Sequence, residues 1–245
     1  MIEAETSIKT PSGGMWTGLF RPSRGARHAV VAMLMDGRGI SEPMKDNARM
    51  LAAAGYYVLL PNLYYRSGVS TPDDANGEVD LKLMQKLSGS MSKATIAEDV
   101  AACIAFAGKD PAAAPGPIGL IGYCMGARYA LLAADALGDK IGAVVSLHPG
   151  WLASERPESP HRHVSNIKAE VYVGAAETDP YLKPGMAEEM GRSLAAAGVD
   201  ALVEVLPGSH HGFAVPSRPN YHRPSALIGW EHAFDLFGRR LGQAA

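Results

Sequence analysis

Along this chain, apolar runs of strand length alternate with segments in which apolar residues recur every three to four positions, the spacing of a helix with one buried face. The runs are "AVVAMLM", "YYVLLP", "PIGLIGY", "GAVVSLH", "AEVYVGA" and "ALVEVLPG". Helical spacing is predicted over 43–54, 80–87, 93–107, 125–137, 184–197 and 223–241, with two helices between the second and third runs and a loop after the fourth. The runs are continuous in Val, Ile and Leu rather than alternating with polar residues, so their strands are expected to be covered on both faces. That implies an α/β fold with a mostly parallel central sheet flanked by helices. Ahead of the first run, "AETSIKTPSGGMWTGLFRPS" reads as two short strands around a turn at 11–14, an N-terminal β-hairpin at a sheet edge. A chain of 245 residues holds one such domain over 1–245 without a break in composition.

In sheets of this kind ligands bind beyond the carboxyl ends of the strands, which directs attention to the residues after each run. The third run ends in "GLIGYCMG", where Gly122 and Gly126 each lie two positions from Cys124 and the helical segment "MGARYALLAADAL" follows. Small residues on both sides of Cys124 permit a strand-to-helix turn tight enough to push its side chain out of the chain's path, the geometry that displays a nucleophile. A thiol there would meet the positive end of the helix dipole, which favours thiolate, and the Met125 amide would point at the same spot as an oxyanion donor. The alternative is a buried strand-end cysteine with chance glycines. Cys103 shares a helical face with Ile96, Val100, Ile104 and Ala107 and reads as a small buried hydrophobe.

Acyl transfer through a thiol also needs a base and a group to orient it. "HHGFAVP" places His210 and His211 after the last run, and "AETDP" places Glu177 and Asp179 after the one before. The order nucleophile, acid, histidine is that of the α/β-hydrolase arrangement.

Composition narrows the partners. A formal charge of -2 with both signs interspersed leaves no electrostatic footprint for nucleic acid or an anionic membrane, and a small-molecule substrate is expected. "MIEAETSIKT" has no basic segment followed by an apolar core, and no apolar run approaches the roughly 18 to 20 residues of a membrane span, so the expectation is a soluble, cytoplasmic protein acting as a monomer or weak homodimer. Two cysteines make no disulfide framework. His161 and His163, in the polar loop "SERPESPHRHVSN", lack a third ligand at regular spacing, and Gly37-x-Gly39 fails as a dinucleotide fingerprint at Glu42; no metal or organic cofactor is expected.

Through "PNLYYRSG", "GYCMG", "GAAETDP" and "HHGF" the chain resembles the dienelactone hydrolases, or carboxymethylenebutenolidases, of the α/β-hydrolase fold. The resemblance implies Cys124 as nucleophile, Asp179 as acid and His211 as base, with His210 the alternative base and Glu177 the less favoured acid. It implies that "LMDGRGI" supplies a second oxyanion amide from Gly37 and a carboxylate, Asp36, in contact with the resting thiol. The best-known members carry glutamate there, and the shorter Asp36 could instead cap the helix near Pro43 or pair with Arg38. Arg66, with Tyr64 and Tyr65, would stand near the pocket mouth to meet a substrate carboxylate, or be a surface arginine beside packed tyrosines. His148 and Trp151 either line the pocket or serve packing. The implied reaction is hydrolysis of a lactone or activated carboxylic ester through a thioester. The other readings are a non-catalytic small-molecule-binding protein, a thiol-based acyltransferase and a nicotinamide oxidoreductase.

Overall fold

Two turn residues, Pro11 and Ser12, let β1 (Ile2–Thr10) fold back on β2 (Gly13–Arg21) as an antiparallel hairpin. In the computed structural model, which describes residues 1–25, 27–73 and 78–242, this hairpin forms one edge of an eight-stranded sheet. The remaining strands are β3 (Val30–Leu34), β4 (Tyr57–Pro61), β5 (Ile118–Tyr123), β6 (Ile141–Leu147), β7 (Glu170–Thr178) and β8 (Ala201–His210). They lie in the order β1-β2-β4-β3-β5-β6-β7-β8, with β3 to β8 mutually parallel and β2 joined to β4 antiparallel. The chain runs from β3 outward to β4 and then returns to place β5 on β3's other side, so the strand order reverses between β3 and β5. That is where a parallel sheet opens a crevice for ligands.

Every residue of β3, β4, β5 and β6 is buried, as continuous apolar strands require. The last strand departs from that expectation. In β8, Leu202 and Val205 are 45% and 43% exposed, because β8 is the far edge of the sheet and its helical cover is incomplete.

The helices are α1 (Glu42–Ala53), α2 (Leu81–Gly89), α3 (Lys93–Ala107), α4 (Met125–Leu137), α5 (Met186–Ala196) and α6 (Arg223–Leu241). Their starts follow local chemistry. The Asp80 side chain accepts the Lys82 and Leu83 N–H groups, Ser92 and Thr95 form a reciprocal capping box, and prolines occupy the first turns of α1 and α6. Cys103 is fully buried in α3. In the polar segment after β6, Glu155, Arg156, Pro157 and Glu158 are exposed, while Ser159 is buried and its hydroxyl accepts the Ser154 N–H ahead of a 3-10 turn (Pro160–Arg162). Among the described residues no helix is long and apolar enough to cross a membrane.

Two glycines of β5 report how closely helices approach it from opposite faces. A Cβ on Gly119 would lie 2.8 Å from Leu241 and 2.9 Å from Phe237 of α6, whereas one on Gly122 would lie 2.3 Å from the Gly126 carbonyl oxygen of α4. Gly126 is equally confined, its hypothetical Cβ being 2.3 Å from the Leu34 oxygen and 2.5 Å from the Met35 oxygen. These contacts are with backbone, which cannot swing aside. We expect Gly126→Ala to destabilise the fold by about 3 kcal/mol or more in chemical denaturation, the upper range for overpacking; a wild-type midpoint would contradict the close approach.

Candidate active site

The junction of β5 and α4 holds Cys124 at φ 54° and ψ -110°, a backbone conformation that costs energy for any residue but glycine. It is pinned at both ends: the Cys124 N–H donates to the Leu147 carbonyl at 3.0 Å, and its own carbonyl accepts the Arg128 N–H at 3.4 Å. The turn throws the thiol toward the carboxyl edge of the sheet. Met125, the first residue of α4, belongs to the helical turn whose amides have no carbonyl partner within the helix.

Two neighbouring strands deliver the groups that meet this thiol. His211 follows β8, its N–H bonded to the Thr178 carbonyl at 3.1 Å, and its Nε2 lies 2.9 Å from Cys124 Sγ. Its Nδ1 lies 2.6 Å from Oδ2 of Asp179, whose side chain is buried and whose Oδ1 accepts the Tyr181 N–H at 2.8 Å. Thiol, imidazole and carboxylate therefore form one hydrogen-bonded line. Burial by itself would lower the pKa of His211, but the adjacent Cys124 charge and the Asp179 carboxylate push it up to about 10. The structure separates these residues from their sequence alternatives: His210 is exposed and pairs through its backbone with Thr178, and the Glu177 carboxylate accepts the Gly208 N–H at 2.9 Å.

The line opens into a cleft of ≈ 690 Å³. His148 and Trp151 both reach it from the segment after β6, and both carry positive φ, 40° and 61°. His148 is buried, its ring 5.3 Å from those of His211 and Phe213, and both its nitrogens lack a hydrogen-bond partner among the described residues. Burial first, and the neighbouring His211 charge second, hold its pKa well below the usual histidine range.

For Asp36 and Arg66 the structure takes the second of the two readings the sequence leaves open. Asp36 is in the cleft wall, but its carboxylate accepts the Arg38 N–H at 2.9 Å and the Arg218 guanidinium at 3.2 Å, with no hydrogen bond to the thiol. One methylene shorter than glutamate, it stays with its own loop; burial raises its pKa and the Arg218 charge opposes the rise. Tyr64 is not at the mouth. It is buried beneath the cleft, where its hydroxyl donates to the Gly37 carbonyl at 2.9 Å and lies 3.3 Å from Met125 Sδ, fixing the peptide that carries Gly37. Arg66 lies away from the cleft because Asp99, nearly inaccessible, holds its guanidinium through two bonds of 2.8 Å, and Tyr65 bonds the same carboxylate. His161 and His163 are engaged with Ser159 and the Pro157 carbonyl.

Other cleft residues were not singled out from the sequence. Tyr181, two positions after Asp179, sets its ring edge-on to His211 at 4.9 Å. Arg218, in the loop after His211, is the countercharge to Asp36. Arg128 and Arg156 also line the cleft. The clue to Arg128 is its position one helical turn after Cys124, as the charged residue in the first turn of an otherwise apolar stretch.

The sequence pattern of the Dienelactone hydrolase family matches residues 16–241. The chain belongs to the dienelactone hydrolase family. Among its curated relatives, a "Putative carboxymethylenebutenolidase" of Methylorubrum extorquens is 26% identical, covering 99% of this chain and 87% of the relative. A "Probable 2-oxo-3-(5-oxofuran-2-ylidene)propanoate lactonase" of Bradyrhizobium is also 26% identical, over 87% and 85%. Among solved structures, a "Putative Dienelactone Hydrolase" from Klebsiella pneumoniae superposes with a TM-score of 0.87 at 25% identity, covering 97% of this chain and 98% of the other. As a dienelactone hydrolase family member, the chain is a hydrolase of the α/β-hydrolase fold.

Against burial, which lowers it, the neighbour that raises the His211 pKa most is the charge of Cys124. Removing it in Cys124→Ala should move the imidazole titration from about 10 to a lower pH, read by ¹⁵N NMR of the ring nitrogens. An unchanged titration would show that the thiol carries no charge next to His211.

Proposed function

We propose that the protein hydrolyses a lactone or an activated carboxylic ester through a covalent thioester on Cys124. The observation that carries this reading is the unbroken line Cys124 Sγ, His211 Nε2 and Nδ1, Asp179 Oδ2, with separations of 2.9 and 2.6 Å. Relatives described as lactonase and carboxymethylenebutenolidase support the substrate class.

His211, oriented by Asp179, takes the thiol proton, and the Cys124 sulfur attacks the carbonyl carbon. Negative charge on the carbonyl oxygen is received by the Met125 amide at the start of α4 and the Gly37 amide opposite, the two strand ends that flank the reversal in strand order. The adduct collapses as the bond to the leaving oxygen breaks and His211 returns the proton to that oxygen. A water that gives its proton to His211 then attacks the thioester, releasing the acid and restoring the thiol. Thiolate is itself a good leaving group, so the adduct reverts unless the substrate's own leaving group competes. This favours enol lactones and activated esters over amides and simple alkyl esters. A binding protein that had abandoned chemistry would have no use for a strained Cys124 aligned on an oriented imidazole.

Cys124→Ala should abolish turnover of lactones and activated esters, a loss of about a thousand-fold or more, while Cys124→Ser keeps the fold and a weaker activity with altered preference. A panel of lactones and aryl esters, monitored by product formation, checks both. Full turnover by the alanine variant would end the proposal.

A further inference from the structure

We propose that Tyr64 and Ser88 are positioning residues for the oxyanion site: a hydrogen-bond relay from α2 through their two hydroxyls fixes the Gly37 segment, and with it the amide that receives the carbonyl charge. The inference rests on the hydrolytic reading above and adds what keeps one half of its oxyanion site in place.

The need for such a relay begins with glycine. Gly37 has no Cβ to restrict its backbone, so the direction of its amide has to be imposed from outside. A side chain at this position would crowd α2, because its Cβ would lie 3.2 Å from Met84 Sδ. The peptide that follows Gly37 is instead held at both ends. Its carbonyl accepts the Tyr64 hydroxyl at 2.9 Å, and its N–H, that of Arg38, donates to the Asp36 carboxylate at 2.9 Å. With that plane fixed, only the two torsions of Gly37 separate it from the Gly37 amide.

The direction of the relay follows from its protons. The Tyr64 oxygen has one proton to give and three polar neighbours, the Gly37 carbonyl, Ser88 Oγ at 3.1 Å and Met125 Sδ at 3.3 Å. A thioether is a weak acceptor, so the proton goes to the Gly37 carbonyl and the phenol oxygen is left to accept from the Ser88 hydroxyl. A phenol that accepts one hydrogen bond donates the next more strongly. Burial raises the pKa of Tyr64, which keeps that proton on the oxygen. The residue is anchored in turn: its N–H donates to Asn62 Oδ1 at 2.9 Å, and Asn62 Nδ2 donates to the Val69 carbonyl at 2.8 Å.

Ser88 brings in a third chain segment. Helix α2 buries only Leu87 of its nine residues, yet lines the cleft with Leu81, Met84 and Ser88. Polar bonds near its C-terminal end tie it down. Besides the contact of Ser88 with Tyr64, the Tyr129 hydroxyl donates to the Ser88 and Met91 carbonyls at 3.3 and 2.9 Å. A single phenol oxygen thus joins the cleft wall to the oxyanion amide. The adduct carries its negative charge from the attack of sulfur until the leaving group departs, so loss of the relay is felt in turnover and spares reactions that form no oxyanion.

Two reactions of the same thiol provide the test. Hydrolysis of 4-nitrophenyl acetate passes through an oxyanion; alkylation by iodoacetamide, in which the Cys124 sulfur displaces iodide from a CH₂ carbon, does not. Cys103 is fully buried, so alkylation of the folded chain reports Cys124. Tyr64→Phe should lower kcat about ten- to a hundred-fold with KM little changed and alkylation within about two-fold of wild type, a smaller loss than removing an oxyanion donor outright. Ser88→Ala should lower kcat by a smaller factor. The double variant should be no slower than Tyr64→Phe, because residues that act in series are not additive. Wild-type kcat in Tyr64→Phe, an equal fall in alkylation, or additive losses in the double variant overturns the relay. If Tyr64→Phe does not fold, Ser88→Ala decides, and an unchanged kcat overturns the relay. A wild-type chain that cleaves no ester, or a Cys124→Ala variant that cleaves it as well as wild type, overturns the hydrolytic reading and the role of Tyr64 with it. Failure of the relay alone is the case in which wild type turns over through Cys124 and Tyr64→Phe does so equally.

Discussion

Everything at the site depends on how closely α4 is pressed onto the sheet. Gly126 touches the carbonyls of Leu34 and Met35, and Gly122 touches Gly126, so the first turn of the helix, the end of β3 and the end of β5 share a space with no room for side chains. That contact sets the distance between Met125 and Gly37, which belong to the two chain segments it joins. It also forces the abrupt change of direction at Cys124 that gives φ 54°. Strain of this kind costs of order 1–3 kcal/mol and persists only where surrounding packing over-determines it. The fully buried strands β3 and β5 supply that packing.

Around this junction the polar groups are arranged so that buried charge is balanced locally. Asp36 and Arg218 neutralise each other in the wall, Asp99 and Arg66 do so beneath the hairpin, and Asp179 serves His211. The charge on His211 has a further consequence for His148, whose ring lies 5.3 Å away. Burial first, and the neighbouring His211 charge second, hold the His148 pKa well below the usual histidine range, opposite in direction to that of His211. Neither ring nitrogen of this buried histidine has a hydrogen-bond partner among the described residues, so its ring is held by packing against His211 and Phe213.

Much of this was legible in the chain because it is encoded locally. The strands of the parallel sheet are uninterrupted apolar runs, the helices announce their starts at Asp80, Ser92 and Pro224, and the Gly-x-Cys-x-Gly spacing carries the elbow. Cys124, Asp179 and His211 fall at strand ends, so their meeting follows from the order of strands in the sheet. The auxiliary residues could not be read in the same way, because their roles depend on partners distant in sequence. Arg66 is claimed by Asp99, 33 positions later, and Asp36 by Arg218, 182 positions later. Tyr64 looks like a mouth residue beside Arg66 until its hydroxyl is seen under Gly37. The exposure of Leu202 and Val205 depends on β8 being an edge strand, which apolar content does not reveal.

The choice of sulfur fits the surrounding architecture. On the proposed reaction the sulfur is a better leaving group than an alkoxide, so the difficult event is expulsion of the substrate's leaving group rather than of Cys124 itself. An enzyme built on such a nucleophile gains little by stabilising its own attack further. It gains by stabilising what departs, because only an interaction stronger in the transition state than in the ground state accelerates the step.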